Sequence, residues 1–81
     1  MRLDKYLKVS RLIKRRTVAN EASDNGLVTV NGKAARASYE VKVGDRISLR
    51  FGARTVTVEV VSVQETVRQA EASAMYKEIQ A

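Results

Sequence analysis

The sequence predicts an α+β fold: two N-terminal helices packed on a small, twisted, mainly antiparallel sheet, followed by a C-terminal helix. Three observations carry that expectation. Apolar residues recur at helical spacing from Leu3 to Ala22. From Leu27 to Val60 the period becomes two, and helical spacing returns between Ala72 and Ile79. Glycines 26, 32, 44 and 52 punctuate the middle of the chain, which contains no proline, repeat, low-complexity stretch or linker. Eighty-one residues are expected to form a single domain, 1–81, with modest stability, because a chain this short buries only about 60% of its unfolded surface.

The first helix rests on Leu3, Tyr6 and Leu7, spaced i, i+3 and i+4, with Lys5 and Lys8 on the opposite face. Leu12 and Ile13 turn into the core between this helix and the next. The second helix is expected from about Arg15 to Asn25, with Val18, Ala19 and Ala22 inward and Gly26 as the left-handed residue that closes it. Its start carries no good cap. Lys14, Arg15 and Arg16 precede Thr17, and Thr17 and Glu21 are four apart, one too many for a capping box.

In "LVTVNGKAA" a strand runs into Asn31-Gly32, the dipeptide suited to a type I′ hairpin. "SYEVKVGDRISLRF" brings Val41 and Val43 to a Gly44-Asp45 turn. A strand follows with Ile47, Leu49 and Phe51 on one face and Arg46, Ser48 and Arg50 on the other. "FGAR" makes a second hairpin into "TVTVEVVSV". There Val56, Val58 and Val60 alternate, while Val61 and Val63 have the opposite parity, as at a bulge or at a strand end covered on both faces. In the tail, Thr66 to Ala81, the residues Ala72, Met75, Tyr76 and Ile79 predict a helix. It docks on the sheet or, as the alternative, binds a partner.

Catalysis finds little support. Without His or Cys there is no imidazole base, no thiolate and no usual transition-metal set. The nine carboxylates are scattered, and Ser10, Ser23, Ser38 and Ser48 lack an evident activating partner. The reading is a non-enzyme with no cofactor and no metal. The absence of cysteine suits a reducing compartment, and "MRLDKYLKV" has no apolar run fit for a signal peptide. A soluble cytoplasmic protein that does not engage membrane is therefore expected.

Charge distribution carries the functional reading. Residues 1–20 hold seven cations, Arg2, Lys5, Lys8, Arg11, Lys14, Arg15 and Arg16, against the single acid Asp4. The remaining 61 residues balance, eight cations against eight acids, so the first quarter carries the whole net charge of +6. Such a one-ended field attracts polyanions, nucleic acid foremost. Arg15 and Arg16 stand where the helix dipole favours anions, and free N–H groups beside arginines make a phosphate-binding corner. With one Phe, three Tyr and no paired strand aromatics, base stacking on a sheet is disfavoured, and recognition of structured RNA by phosphate and shape fits better. Tyr39 is open to two readings, a nucleotide stack or a buried edge aromatic. Lys33 and Arg36 either extend the basic surface or are solvated hairpin charges. The row Arg46, Arg50 and Arg54 is weighted towards solubility.

The run Arg2-Leu3-Asp4-Lys5-Tyr6-Leu7, then Lys14-Arg15-Arg16, the helix end at Gly26, Val30-Asn31-Gly32-Lys33 and Val43-Gly44-Asp45 together resemble the S-four RNA-binding domain. The resemblance covers residues 2 to about 51 and implies the alpha-L RNA-binding motif, with a strand hairpin and tail helix over about 52–81. Including "RFGARTVTVEV" and "EASAMYKEI", the chain looks like the branch of small bacterial proteins of ribosome-associated quality control. Arg15 departs from the Thr or Ser cap common among relatives. The resemblance implies binding to large ribosomal subunits obstructed by peptidyl-tRNA, through large-subunit ribosomal RNA and the tRNA. It further implies work beside an RqcH-type factor during C-terminal alanine tailing; a monomer is expected. The family pattern places RNA contacts at Arg2, Lys5, Lys8, Ser10, Arg11, Lys14, Arg15 and Arg16, and also at Asn20, Lys33 and Arg36. Two other readings stay open: the heat-shock branch of the family, which recycles large subunits carrying nascent chains, and a ribosome-docked adaptor that uses Tyr76 and Ile79 on a protein.

Overall fold

In the computed structural model, which describes residues 1–63 and 74–79, the chain enters through a tethered N-terminus. The Met1 ammonium lies 3.4 Å from a Glu40 carboxylate oxygen, and the Met1 carbonyl accepts the Val41 amide at 2.8 Å. Helix α1 (Leu3–Val9) follows, its first amides donated by Leu3 to Tyr39 O and by Asp4 to Ala37 O. This satisfies donors that a helix start leaves without intrahelical partners. Leu3, Tyr6 and Leu7 are fully buried, as their spacing predicts.

Helix α2 (Arg16–Asp24) starts one residue later than expected. Arg15 is its extended N-cap, with φ −117° and ψ 130°, and makes no side-chain cap. Its far end matches the sequence reading: Gly26 has φ +79°, and Leu27 N donates to Ala22 O at 2.9 Å. Ala19 is fully buried and Ala22 partly so. Val18, expected inward, is 48% exposed, and Ser23 takes the inward place instead, its hydroxyl donating to Ala19 O at 2.8 Å.

Five strands form one antiparallel sheet in the order β2-β1-β3-β4-β5: β1 (Val28–Val30), β2 (Lys33–Ala34), β3 (Arg46–Phe51), β4 (Arg54–Val60) and β5 (Tyr76–Ile79). The Asn31-Gly32 hairpin has positive φ at both central residues, 54° and 83°, as a type I′ turn requires. The β3–β4 hairpin turns through Gly52-Ala53 with positive φ at Gly52 alone, the II′ pattern. Val41 is buried but Val43 is 66% exposed, so only the first of the two valines before Gly44 joins the core.

The expected C-terminal helix is corrected. Tyr76–Ile79 is a strand that adds to the outer edge of β4, with Val60 opposite Tyr76 and Thr57 opposite Ile79. An otherwise open β4 edge offers a ladder of backbone partners, and that outweighs a weak helical spacing over four residues. Ala72 and most of the remaining tail lie outside the described residues. The parity break at Val60-Val61 marks the end of β4: Val61 N and Ser62 N both donate to Met75 O, two residues against one as in a bulge. Val61 is 48% exposed.

The core runs between the helices and one sheet face. It joins Leu3, Tyr6, Leu7, Ile13 and Ala19 to Val28, Val30, Val41, Ile47, Leu49, Val58, Val60 and Met75. Each fully buried Leu, Ile or Val side chain contributes about 1.5–3 kcal/mol. No buried side-chain N or O atom among the described residues lacks a hydrogen-bond partner.

Candidate nucleic-acid interface

Asp4, in the first turn of α1, is 2% exposed and organises the corner between the helices. Its Oδ1 accepts the Lys5 amide at 2.8 Å. Arg2 reaches both carboxylate oxygens, Nε to Oδ1 at 3.3 Å and Nη2 to Oδ2 at 3.4 Å. Arg16 does the same from α2, Nε to Oδ2 at 3.4 Å and Nη2 to Oδ1 at 3.5 Å, and the Asn20 amide donates to Oδ2 at 3.2 Å. Burial by itself would raise the Asp4 carboxyl. The hydrogen bonds from Asn20, Arg16 and the Lys5 amide, with the Arg16 charge, hold it below its ordinary value.

Two guanidiniums are thereby fixed against one buried carboxylate, each still about half exposed, 50% for Arg2 and 47% for Arg16. Arg16, one of the seven cations set against the single acid Asp4, is paired with it, and its outer half remains open to solvent. Beside it, a shallow groove of about 360 Å³ is lined by Asp4, Arg16, Thr17, Asn20 and Glu21.

Around that corner the cations are exposed. Lys8 lies in the last turn of α1, where the helix dipole favours positive charge, and Arg11 follows just beyond. Lys14 and Arg15 lead into the uncapped start of α2. Among the described residues, no hydrogen bond or ion pair engages the side chains of Lys8, Arg11, Lys14 or Arg15. Anions are favoured at an uncapped helix start flanked by such charges. No group of His, Cys, Asp or Glu side chains among the described residues is arranged to hold a metal ion.

The S4 domain family model matches residues 1–47, which include every one of these groups. The chain belongs to the S4 domain family. It is 58% identical over 77 residues to an RQC P-site tRNA stabilizing factor of Halalkalibacterium halodurans, covering 95% of this chain and 88% of that one. A Bacillus subtilis protein of the same description is 54% identical over 76 residues, covering 94% and 88%. Among solved structures, the trimeric Heat Shock Protein 15 of Vibrio cholerae superposes with a TM-score of 0.90 at 35% identity. That match covers 98% of this chain and 81% of the other.

Within this S4 domain the remaining expected positions divide. Ser10 is 1% exposed, and its hydroxyl donates to Leu7 O at 3.3 Å, so it closes α1 from inside rather than facing outward. Asn20 is half-buried and committed through its amide to Asp4. Lys5 is half-buried on α1. Arg36 is exposed and precedes Ala37, whose carbonyl accepts the Asp4 amide, so it borders the corner. Lys33 stands apart on β2, exposed beside the type I′ turn.

Tyr39 takes the buried-edge reading. It packs against the core, and its hydroxyl donates to Asp45 Oδ2 at 3.0 Å. Burial and that hydrogen bond raise its pKa. Asp45 also accepts from the Asn31 amide at 3.2 Å and the Lys42 amide at 2.9 Å, which ties the hairpin to the segment that backs α1.

The residue that the sequence reading undervalued is Asp4, counted there only as an inadequate counter-charge. Arg16 and Asn20 are four apart and so share one face of α2. That spacing was the available signal, though nothing in it named the acid they meet.

Proposed function

We propose that this chain is a non-catalytic RNA-binding factor of bacterial ribosome-associated quality control. It binds large ribosomal subunits obstructed by peptidyl-tRNA, touching large-subunit ribosomal RNA and the tRNA, and supports C-terminal alanine tailing beside an RqcH-type factor. The observation that carries this reading is the corner itself. Arg2 and Arg16 are locked on Asp4, while Lys8, Arg11, Lys14 and Arg15 are exposed around an uncapped helix start. Phosphates supply what that arrangement lacks, because they neutralise clustered cations and accept from the free N–H groups of α2. The S4 domain and the near full-length likeness to tRNA stabilizing factors support the biological setting.

The RNA contacts assigned are Arg2, Lys8, Arg11, Lys14, Arg15 and Arg16, with Lys5, Asn20, Lys33 and Arg36 at the margin. Ser10 acts through packing. The chain works as a cytoplasmic monomer forming one domain. A second reading, the heat-shock branch that recycles large subunits carrying nascent chains, is favoured by the Vibrio cholerae likeness.

Lys14→Ala/Arg15→Ala tests the proposal, because neither side chain holds the fold together. Co-sedimentation with large subunits isolated with bound peptidyl-tRNA should fall at least tenfold while thermal unfolding is unchanged. Wild-type co-sedimentation would remove the corner from the mechanism. Alanine tails that persist in cells lacking the chain would favour the recycling branch.

A further inference from the structure

At the opposite end of α2 from Arg15 and Arg16, the β3–β4 hairpin carries Arg50-Phe51-Gly52-Ala53-Arg54 at its tip. The Arg50 amide donates to Leu27 O at 2.9 Å, which places the tip beside the residues that leave α2. Phe51, the chain's one phenylalanine, has the parity of Ile47 and Leu49 but extends past the core and is 47% exposed. Arg54 stands directly across from Phe51 in the register, so the two share a sheet face. Arg46 and Arg50 belong to the other face, and the expected outward row of three arginines is therefore split.

Arg46 is partnered by Glu59 at 3.9 Å, whereas no hydrogen bond or ion pair among the described residues engages the side chains of Arg50 or Arg54. The five-residue tip holds no acid.

We propose that this tip is a second RNA contact, in which Phe51 stacks on an unpaired nucleobase while Arg54 and Arg50 engage the flanking phosphates. The inference rests on the RNA-binding reading above and adds to it a site outside the basic corner. A half-exposed aromatic ring with one arginine across from it on its own face and another beside it on the opposite face gains little in water. A partner offering flat π-faces and negative charge in alternation answers both features, and an unpaired nucleotide strand has that chemistry. An acidic protein would match the arginines but not the exposed ring. The nine-residue α2 is about 14 Å long, so one folded RNA with a loop or bulge can reach both ends of the helix.

The chain has no tryptophan, so Phe51→Trp installs a single fluorescent reporter in a full-length protein. Two probes separate the sites: a stem-loop RNA with an unpaired purine loop, and heparin, a polyanion without bases. Emission from Phe51→Trp should be quenched on saturation with the stem-loop and unchanged by heparin. Phe51→Leu, which keeps apolar bulk without a ring, should bind the stem-loop about fivefold or more weakly. Its affinity for a blunt duplex of the same stem should stay within twofold of wild type, as should its thermal midpoint within two degrees. Arg50→Gln/Arg54→Gln should weaken the stem-loop likewise. Wild-type affinity in Phe51→Leu, with unquenched emission from Phe51→Trp, overturns the stacking contact and leaves a protein as the occupant of the tip. A wild-type chain that binds neither RNA in an anisotropy assay overturns the RNA-binding reading as well.

Discussion

Arg11 adopts φ +63° just after α1, the position where glycine most often closes a helix. For an L-residue with a side chain that conformation costs on the order of 1 kcal/mol. The Arg11 side chain recovers none of it through any described residue, since it is exposed and unengaged. Arg11→Gly should therefore raise stability by about 0.5–1 kcal/mol, a rise of a few degrees in the midpoint of a domain this size. Loss of one phosphate contact should also weaken structured RNA and make its log–log salt slope shallower by about 0.9. Calorimetry and a salt titration measure the two effects. Unchanged RNA affinity would show that Arg11 contacts no phosphate.

Asp4 and Asp45 set the acid limit of the molecule. Both carboxyls are pushed up by burial but held below the ordinary 3.8 by the donors around them. A depressed carboxyl contributes stability that is present above its unfolded value and lost as pH falls through its folded value. Stability should thus be level near neutrality and decline from about pH 4 downwards. Asp4→Asn should flatten part of that decline. The same variant raises net charge by one yet is expected to weaken RNA binding, because Arg2 and Arg16 lose the carboxylate that aligns them. Tighter binding by Asp4→Asn would mean that bulk charge, not alignment, governs the corner.

At the scale of elements, β5 depends on a long-range tie. The Tyr6 hydroxyl, buried in α1, donates to Met75 O at 2.7 Å, and Met75 itself is 1% exposed. Burial, then the neighbouring Tyr76, raises the Tyr6 pKa, so the phenol stays neutral and able to donate. Tyr6→Phe should cost about 1 kcal/mol and Met75→Ala about 2–5 kcal/mol in denaturant unfolding. A negligible effect of Met75→Ala would mean that the strand is not docked as described.

The same element shows where sequence patterning stops being informative. Gly26, Asn31-Gly32 and Gly52 announced their turns, because positive φ is a local demand that few residues meet. Met75, Tyr76 and Ile79 satisfy helical spacing and equally suit a short strand. Only the vacant edge of β4 distinguishes the two.

For the molecule as a whole, one extended corner carries the charge. The molecule's extents of 29 × 27 × 21 Å exceed a Debye length of about 8 Å at physiological salt, so the basic end acts largely apart from the neutral remainder. Neutralising about five phosphates on a duplex predicts a log–log salt slope near −4 to −5. A flat response in filter binding would remove the electrostatic account.

The sequence by itself determined the two helices, the hairpins, the α+β class and the basic end, because each follows from period, turn chemistry or charge count within a few residues. The S4 family pattern was legible for the same reason. Tertiary structure alone decided that Arg2, Arg16 and Asn20 converge on Asp4, across sequence separations of 2, 12 and 16 residues. It also decided that the tail residues 76–79 pair as a strand. Both outcomes depend on which groups packing brings together, and a buried carboxylate or an open sheet edge finds its partners through space.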